Sequence, residues 1–448
     1  MSWETIIRGG TVVLPSGALR ADIAIEDGLV AALEPELTAP AFGARPPREI
    51  DARGLTIFPG VIDSHVHFND PGRGHWEGIA TGSRALAAGG GTCFVDMPLN
   101  SSPPTLDGAS FDAKLAVAEA SACTDFAFYG GLTPESLSTM PELAERGVVG
   151  FKAFMCPSGI EDFTWADDET LYRGMEIAHQ LDLPVLLHAE SAAITATLTA
   201  AARSAGRQDV RAYLDSRPVR AELEAISRAL LYAEETGCRV HIVHVTNPRG
   251  VALVRRAAAA GWADATCETC PHYLYLTETD MEQLGGSAKC APPLRPEATR
   301  RALLEALVAG EIDTVGSDHS PAPGDIKNRP DFFEAWGGIA GVQATLRVLL
   351  TLGVPDTRIA TVLGGNPARL FRLTGKGEIA VGNDADLALV ATGDRTAVPV
   401  RREELRDRHR LSPYVGRTLS GRIEMVLLRG RTITDETRGR LIRPHAHR

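Results

Sequence analysis

Val61-Ile62-Asp63-Ser64-His65-Val66-His67-Phe68 is the stretch on which the reading of the fold turns. It is entered through Pro59-Gly60 and left through Asn69-Asp70-Pro71-Gly72, so turn residues bound it on both sides. A short apolar run bounded in this way reads as a buried strand, and the alanine-rich segment 79–89 that follows has helical spacing. Working outward, further apolar runs follow at 92–98, 125–131, 149–155, 184–190, 239–245, 263–269 and 312–318. Helical stretches stand between them at 111–121, 135–145, 168–180, 221–236, 251–260 and 296–309. Alternating strand and helix implies a parallel sheet, and eight repeats imply closure into a ring. The expected fold class is α/β, a (β/α)8 TIM-like barrel over residues 59–372. Gly89-Gly90-Gly91 lacks the setting of a phosphate cradle and reads as a helix stop.

The texture differs at the two ends. Residues 1–58 hold short β-prone pieces at 5–7, 11–13, 23–25 and 30–33, separated by Gly9-Gly10, Pro15, Gly17 and Asp27-Gly28. The same texture returns in residues 373–448, at 377–379, 387–390, 423–428 and 432–434. The expectation is one small β-sandwich domain built from both termini. The tail carrying His445 and His447 reads as a disordered end.

Composition narrows the function classes. Hydrophobic residues at 44% and charged residues at 23% suit a globular enzyme with a large core. A net charge of −11 offers nothing to a polyanion, and Arg249, Arg255 and Arg256 read as a solvated helix face, so no nucleic-acid partner is expected. No apolar run approaches the roughly 20 residues of a membrane helix, and MSWETIIRGG lacks the pattern of a signal peptide. Seven scattered cysteines imply reduced thiols and a cytoplasmic location. Cys267 and Cys270 have no second Cys-x-x-Cys to complete a zinc ribbon.

The chemistry gathers at the ends of the strands. His65 and His67 are two apart, so in a strand they project to one side, as two ligands of one metal would. Lys152 lies inside the apolar run Gly150-Phe151-Lys152-Ala153-Phe154-Met155. A buried ammonium must be paired, neutral or modified. It is therefore either a salt-bridged lysine at the barrel mouth or a lysine carbamylated by carbon dioxide, an anion able to bridge two metals. His188 and His244 each end an apolar run, and Asp318 ends the last, as ligand or base. Each histidine alone would more often be a satisfied core residue. Five strand ends supplying six metal-compatible groups to one barrel face make a metal centre the better reading. His319, next to Asp318, should point elsewhere, and His272 lines the pocket or is structural.

The chain resembles the cyclic amidohydrolase branch of the amidohydrolase superfamily, which holds dihydroorotases, hydantoinases (dihydropyrimidinases) and allantoinases. The motifs that carry this are His67-Phe68-Asn69-Asp70-Pro71-Gly72-Arg73 with Trp76-Glu77-Gly78, Asp96-Met97-Pro98-Leu99-Asn100, Lys152-Ala153-Phe154-Met155, Glu268-Thr269-Cys270-Pro271-His272-Tyr273-Leu274, Lys289-Cys290-Ala291-Pro292-Pro293-Leu294-Arg295 and Trp336-Gly337-Gly338-Ile339-Ala340-Gly341. They are most similar to the allantoinase pattern. Dihydroorotases carry an arginine where this chain has Asn69, and hydantoinases place a tyrosine in the loop where it has Cys156-Pro157-Ser158-Gly159.

The resemblance implies two divalent metal ions, zinc first, with manganese, cobalt or iron as alternatives. His65, His67 and Asp318 would hold one and His188 and His244 the other, with carbamylated Lys152 between them. Asp318 would be the catalytic base and Asn69, Asn100, Ser158 and Ser317 the substrate contacts. The implied reaction opens the cyclic amide of allantoin to allantoate in a homotetramer. Hydantoins or dihydropyrimidines are the alternative substrates. A non-catalytic assembly protein on the same scaffold and a metal-storage protein are the alternatives outside catalysis.

Overall fold

Each apolar run of the central segment becomes a strand because both of its faces are covered, by helices outside and by packed side chains within. In the computed structural model, which describes residues 3–38 and 46–445, the barrel strands are Val61–Val66, Gly91–Asp96, Asp125–Phe128 continued by Gly130–Gly131, Phe151–Phe154, Val185–His188, Val240–Ile242, Ala265–Thr269 and Thr314–Val315. Every neighbouring pair is parallel. The ring closes where the first strand meets the chain beyond the eighth, by the parallel bridge Val66 to His319, with the His67 amide donating to the His319 carbonyl at 2.8 Å. This is a (β/α)8 barrel. The helix read at 168–180 is Asp168–Gln180, started by the Asp167 carboxylate accepting from the Thr170 amide. The helix read at 135–145 is shorter, Met140–Arg146, because Ser136 and Thr139 use their hydroxyls in a turn first.

The two ends of the chain form one eight-stranded sheet folded around its own apolar core, in which Ile7, Val12, Ile23, Ile57, Leu387, Leu389 and Leu427 pack together. The termini meet where Leu387–Ala391 runs antiparallel to Thr56–Pro59, with Leu389 opposite Ile57. The pieces expected at 5–7 and 11–13 are one strand, Thr5–Leu14, whose register shifts between Ile7 and Gly10. Gly10 has to be small there, since a Cβ would lie 2.5 Å from Ile57 Cδ1.

Two expectations at the C-terminal end need correcting. Residues 377–379 are not a strand. Gly377 sits at φ 83°, and a Cβ there would lie 2.4 Å from the Gly364 carbonyl oxygen, so this position turns and has to be glycine. Nor is all of 373–448 sandwich. The pair Val398–Pro399 and Thr418–Leu419 forms a separate ribbon, and Ser412 and Arg408 hydrogen-bond the barrel at Ala340 and Glu77. His445 donates its amide to the Arg372 carbonyl at 3.2 Å, while His447 lies outside the described residues.

A buried charge cluster ties sheet to barrel. The Lys376 ammonium lies 2.6, 2.7 and 2.6 Å from Asp125, Asp384 and Asp386, and Arg429 reaches Asp125 at 2.5 Å. Burial disfavours the ammonium, but Asp386 and Asp125 outweigh it and hold Lys376 above the ordinary lysine value. Lys376→Met would remove the cation shared by three buried carboxylates and leave Asp386 without an ion pair among the described residues. The expected cost is about 3–5 kcal/mol, read as a lower urea midpoint with an unchanged slope.

Candidate metal centre and active site

The first strand delivers two imidazoles to the barrel mouth, and the eighth delivers a carboxylate opposite them. His65 Nε2 and His67 Nε2 lie 3.3 and 3.4 Å from Asp318 Oδ1. His65 is oriented from behind: its Nδ1 lies 2.7 Å from Glu268 Oε1, and Ser64 Oγ donates to the other Glu268 oxygen at 3.0 Å. With Nδ1–H donating, Nε2 keeps its lone pair for a cation. Gly316 makes room for this contact, since a Cβ there would lie 2.6 Å from Glu268 and 2.7 Å from His65.

A second group of ligands sits on the fourth, fifth and sixth strands. Phe154 is paired in register with His188, and their rings stack at 4.5 Å and 14°. His188 Nε2 lies 2.9 Å from Glu190 Oε2, which also receives Arg217 at 2.5 Å, so Nδ1 of His188 is left as the acceptor. Burial would raise Glu190, but Arg217 and the His188 hydrogen bond hold it down to about 2. His244, in left-handed backbone at φ 43°, has its ring centroid 4.7 Å from that of His188 and 5.5 Å from that of His65. Lys152 Nζ is buried with no hydrogen-bond partner, 5.1 Å from the Phe154 ring centre. Burial pulls the lysine down to about 8, although Asp318 and Glu268 push the other way. Burial likewise lowers His67, His188 and His244.

The donor set suits divalent cations. It offers four imidazoles, a carboxylate, and an amine whose proton burial loosens. Lys152 Nζ, His67 Nδ1 and His244 Nδ1 are buried without partners. Orphaned buried polar atoms each cost about 1–3 kcal/mol, so the protein alone leaves this cluster poorly satisfied and a bound cation would relieve it.

All six groups line one cavity of about 390 Å³. Of the four expected substrate contacts, Asn100 and Ser158 line it as well. Asn100 Nδ2 donates to Ser320 Oγ at 3.3 Å, and Ser158 Oγ is engaged with the Phe163 carbonyl at 2.7 Å. Asn69 and Ser317 are not in the lining. Asn69 turns at φ 67° and is buried, with neither amide atom hydrogen-bonded. Ser317 joins the first and eighth strands, its amide donating to Asp63 and its hydroxyl lying 3.4 Å from the His65 carbonyl. His319 does turn elsewhere, with Nδ1 accepting from the Gly341 and Val342 amides. His272 is buried near Asp318, outside the lining, with Nε2 unpartnered. Burial pushes the Cys156 thiol up to about 12, which removes it as a thiolate nucleophile, and all seven cysteines are free.

The profile of the Amidohydrolase family matches residues 56–433, the whole barrel and much of the sheet. The chain belongs to the amidohydrolase family. This amidohydrolase is 53% identical to a protein named allantoinase from Rubrobacter xylanophilus, over 99% of this chain and 98% of that one. It is 48% identical to an allantoinase from Deinococcus radiodurans over the full length of both. Among solved structures, the L-hydantoinase (dihydropyrimidinase) from Arthrobacter aurescens superposes with a TM-score of 0.93 at 33% identity, over 98% of this chain and all of that one. The fold is that of the hydantoinases, and the enzyme is a cyclic amide hydrolase.

Several groups that line the cavity or hydrogen-bond its histidines in this amidohydrolase are not legible in the sequence. Helices Ala192–Ser204 and Val210–Ser216 follow the fifth strand and bring Thr199, Arg203, Tyr213 and the adjoining Arg217 to the cavity. The strand-to-helix rhythm had no place for this extra pair. Asp209 ahead of the second helix, capping the Ala212 amide at 2.8 Å, was the available signal. Glu190 stands two residues after His188, and Glu268 opens a quoted motif, yet their bonds to His188 and His65 depend on folded positions. Lys289 and Trp336 also line the cavity.

Proposed function

We propose that this enzyme hydrolyses the cyclic amide of allantoin, giving allantoate, at a two-metal centre in the barrel mouth. The observation that carries the reading is the gathering of six metal-compatible groups around one cavity, in a chain similar along its whole length to proteins named allantoinase. His65, His67 and Asp318 would hold one cation, His188 and His244 the other, and carbamylated Lys152 would lie between them. When bound, such cations polarise the scissile carbonyl and acidify water. Zinc is the first expectation for the metal. Carbamylation requires an unprotonated amine, and burial raises that fraction at Lys152 by lowering its pKa to about 8. Asp318 takes the proton of the attacking water as the carbonyl carbon gains its new C–O bond. It returns that proton to the ring nitrogen as the C–N bond breaks. Asn100 and Ser158, which line the cavity, would bind the ring or its ureido arm.

A cytoplasmic location is favoured by seven free buried thiols. No helix among the described residues is long and apolar enough to cross a membrane. A homotetramer, expected from the family resemblance, is measurable by light scattering.

The test is parallel hydrolysis of allantoin, hydantoin, dihydrouracil and dihydroorotate by enzyme loaded with zinc, manganese or cobalt. Allantoin should be turned over fastest, and the purified protein should hold about two metal equivalents. Turnover of hydantoin without allantoin would overturn the substrate assignment and move the enzyme to the hydantoinases, its neighbours in fold. A protein without metal would overturn the centre itself.

A further inference from the structure

Two lysines near the cavity are buried and form no ion pair among the described residues. Lys289 Nζ donates to the carbonyls of Phe332 at 2.6 Å, Phe333 at 3.2 Å and Ala335 at 2.5 Å. Lys327 Nζ donates to the carbonyls of Trp336, at 3.4 Å, and Gly338. Both side chains are about 97% hidden, each residue keeping 3% of its exposure. Burying an ammonium is costly, and one held only by carbonyls gains less than one facing a carboxylate. What this pair achieves is geometric: two side chains grip five carbonyls within the segment 332–338, which has no helix or strand of its own.

That segment is a wall of the active-site cavity, contributing Phe333 through Gly338. Other contacts fix it on both flanks. The Gly338 amide donates to the Lys289 carbonyl at 2.8 Å, and Trp336 Nε1 donates to the Ser320 carbonyl at 3.3 Å. Gly338 lies so close to Ser320 that a Cβ would stand 2.2 Å from its carbonyl oxygen. Ser320 in turn receives Asn100, so the wall is connected to a polar group of the cavity. On the other side the Lys289 ammonium lies 4.6 Å from the ring centre of Tyr213, which belongs to the inserted helices.

We propose that Lys289 and Lys327 are positioning residues that hold segment 332–338 as a rigid cavity wall and thereby set the ring substituent the site accepts. The substrate half of this rests on the allantoin reading; the rigidity half does not. Allantoin carries a ureido arm where hydantoin carries hydrogen, so a displaced wall should be felt by the larger substrate first.

The test combines hydrogen exchange with kinetics on the metal-loaded enzyme. In the wild type, amides of 332–338 should exchange at least about tenfold more slowly than those of the exposed turn 205–208. Lys289→Met and Lys327→Met should each speed exchange in 332–338 while sparing Val61–Val66. KM for allantoin should rise about tenfold with kcat within about threefold, KM for hydantoin should change less, and metal content should hold. Lys289→Arg, which keeps donors, should recover part of the loss. Fast exchange of the wild-type segment overturns the proposal even if neither variant folds. So do variants with unchanged exchange and an unchanged ratio of the two KM values. If the wild type fails to hydrolyse allantoin, the substrate reading falls, and the exchange arms still decide whether the lysines hold the wall.

Discussion

Lys152→Ala should lose at least about three orders of magnitude in kcat/KM and hold less metal than the wild type. The argument begins with burial. Lys152 is 1% exposed, has no hydrogen-bond partner, and stands among His188, His244 and Asp318 around the cavity. An amine kept as a cation there would repel divalent metals. Converted to a carbamate, it would offer two anionic oxygens to them. Alanine removes that anion and leaves a hole of side-chain size. Acetate or propionate should enter the hole and restore part of the activity, since a carboxylate resembles the lost group. The checks are metal analysis and turnover with and without the added acid. Full activity in Lys152→Ala would refute the proposed centre. No rescue alongside retained metal would refute the bridging role.

The second large effect is expected at Asp318. Burial works against its carboxylate, but His65 and a hydrogen bond from His67 hold it below the usual carboxylate value. Asp318 is therefore ionised across neutral pH and able to accept a proton. The sign follows: its stabilised anion is present above its depressed pKa and is lost only in acid, so a fall in activity between pH 7 and 5 belongs to other groups. Asp318→Asn keeps the shape and removes the proton acceptor. The expected result is a drop in kcat of about a thousandfold, within the range assigned to acid–base groups, with a much smaller change in KM. A wild-type kcat in this variant would remove Asp318 from the proton transfer.

Much of the barrel could be read from the chain because its signals are local. Burial on both faces writes each strand as an apolar run, and a polar residue closing such a run is conspicuous. His65, His67, Lys152, His188, His244 and Asp318 all stand out in this way. Contacts decided by tertiary packing could not be read. Asn69 and Ser317 looked like pocket residues because they flank pocket residues in sequence. One has a left-handed backbone and the other bonds across the barrel seam, and both are withdrawn from the cavity. Arg217 was invisible as a site residue because it follows a helix pair outside the repeating pattern. The strand expected at 377–379 failed because a glycine was needed to pass close to Gly364. Gly377-Glu378-Ile379 read as a short turn-bounded β-prone piece, whereas the contact demanded a turn.

The antiparallel pairing of Thr56–Pro59 with Leu387–Ala391 has a consequence for how the molecule is made. During synthesis on the ribosome, the first half of the small sheet emerges long before its partner strand is translated. Until then Ile57 presents an open apolar edge, a place where nascent chains can associate wrongly. The barrel, complete in sequence before residue 387, can form first and bring the two distant halves into register. A chain cut short before Leu387 should keep much of its helix content and yet aggregate, because its exposed strand has nothing to close against.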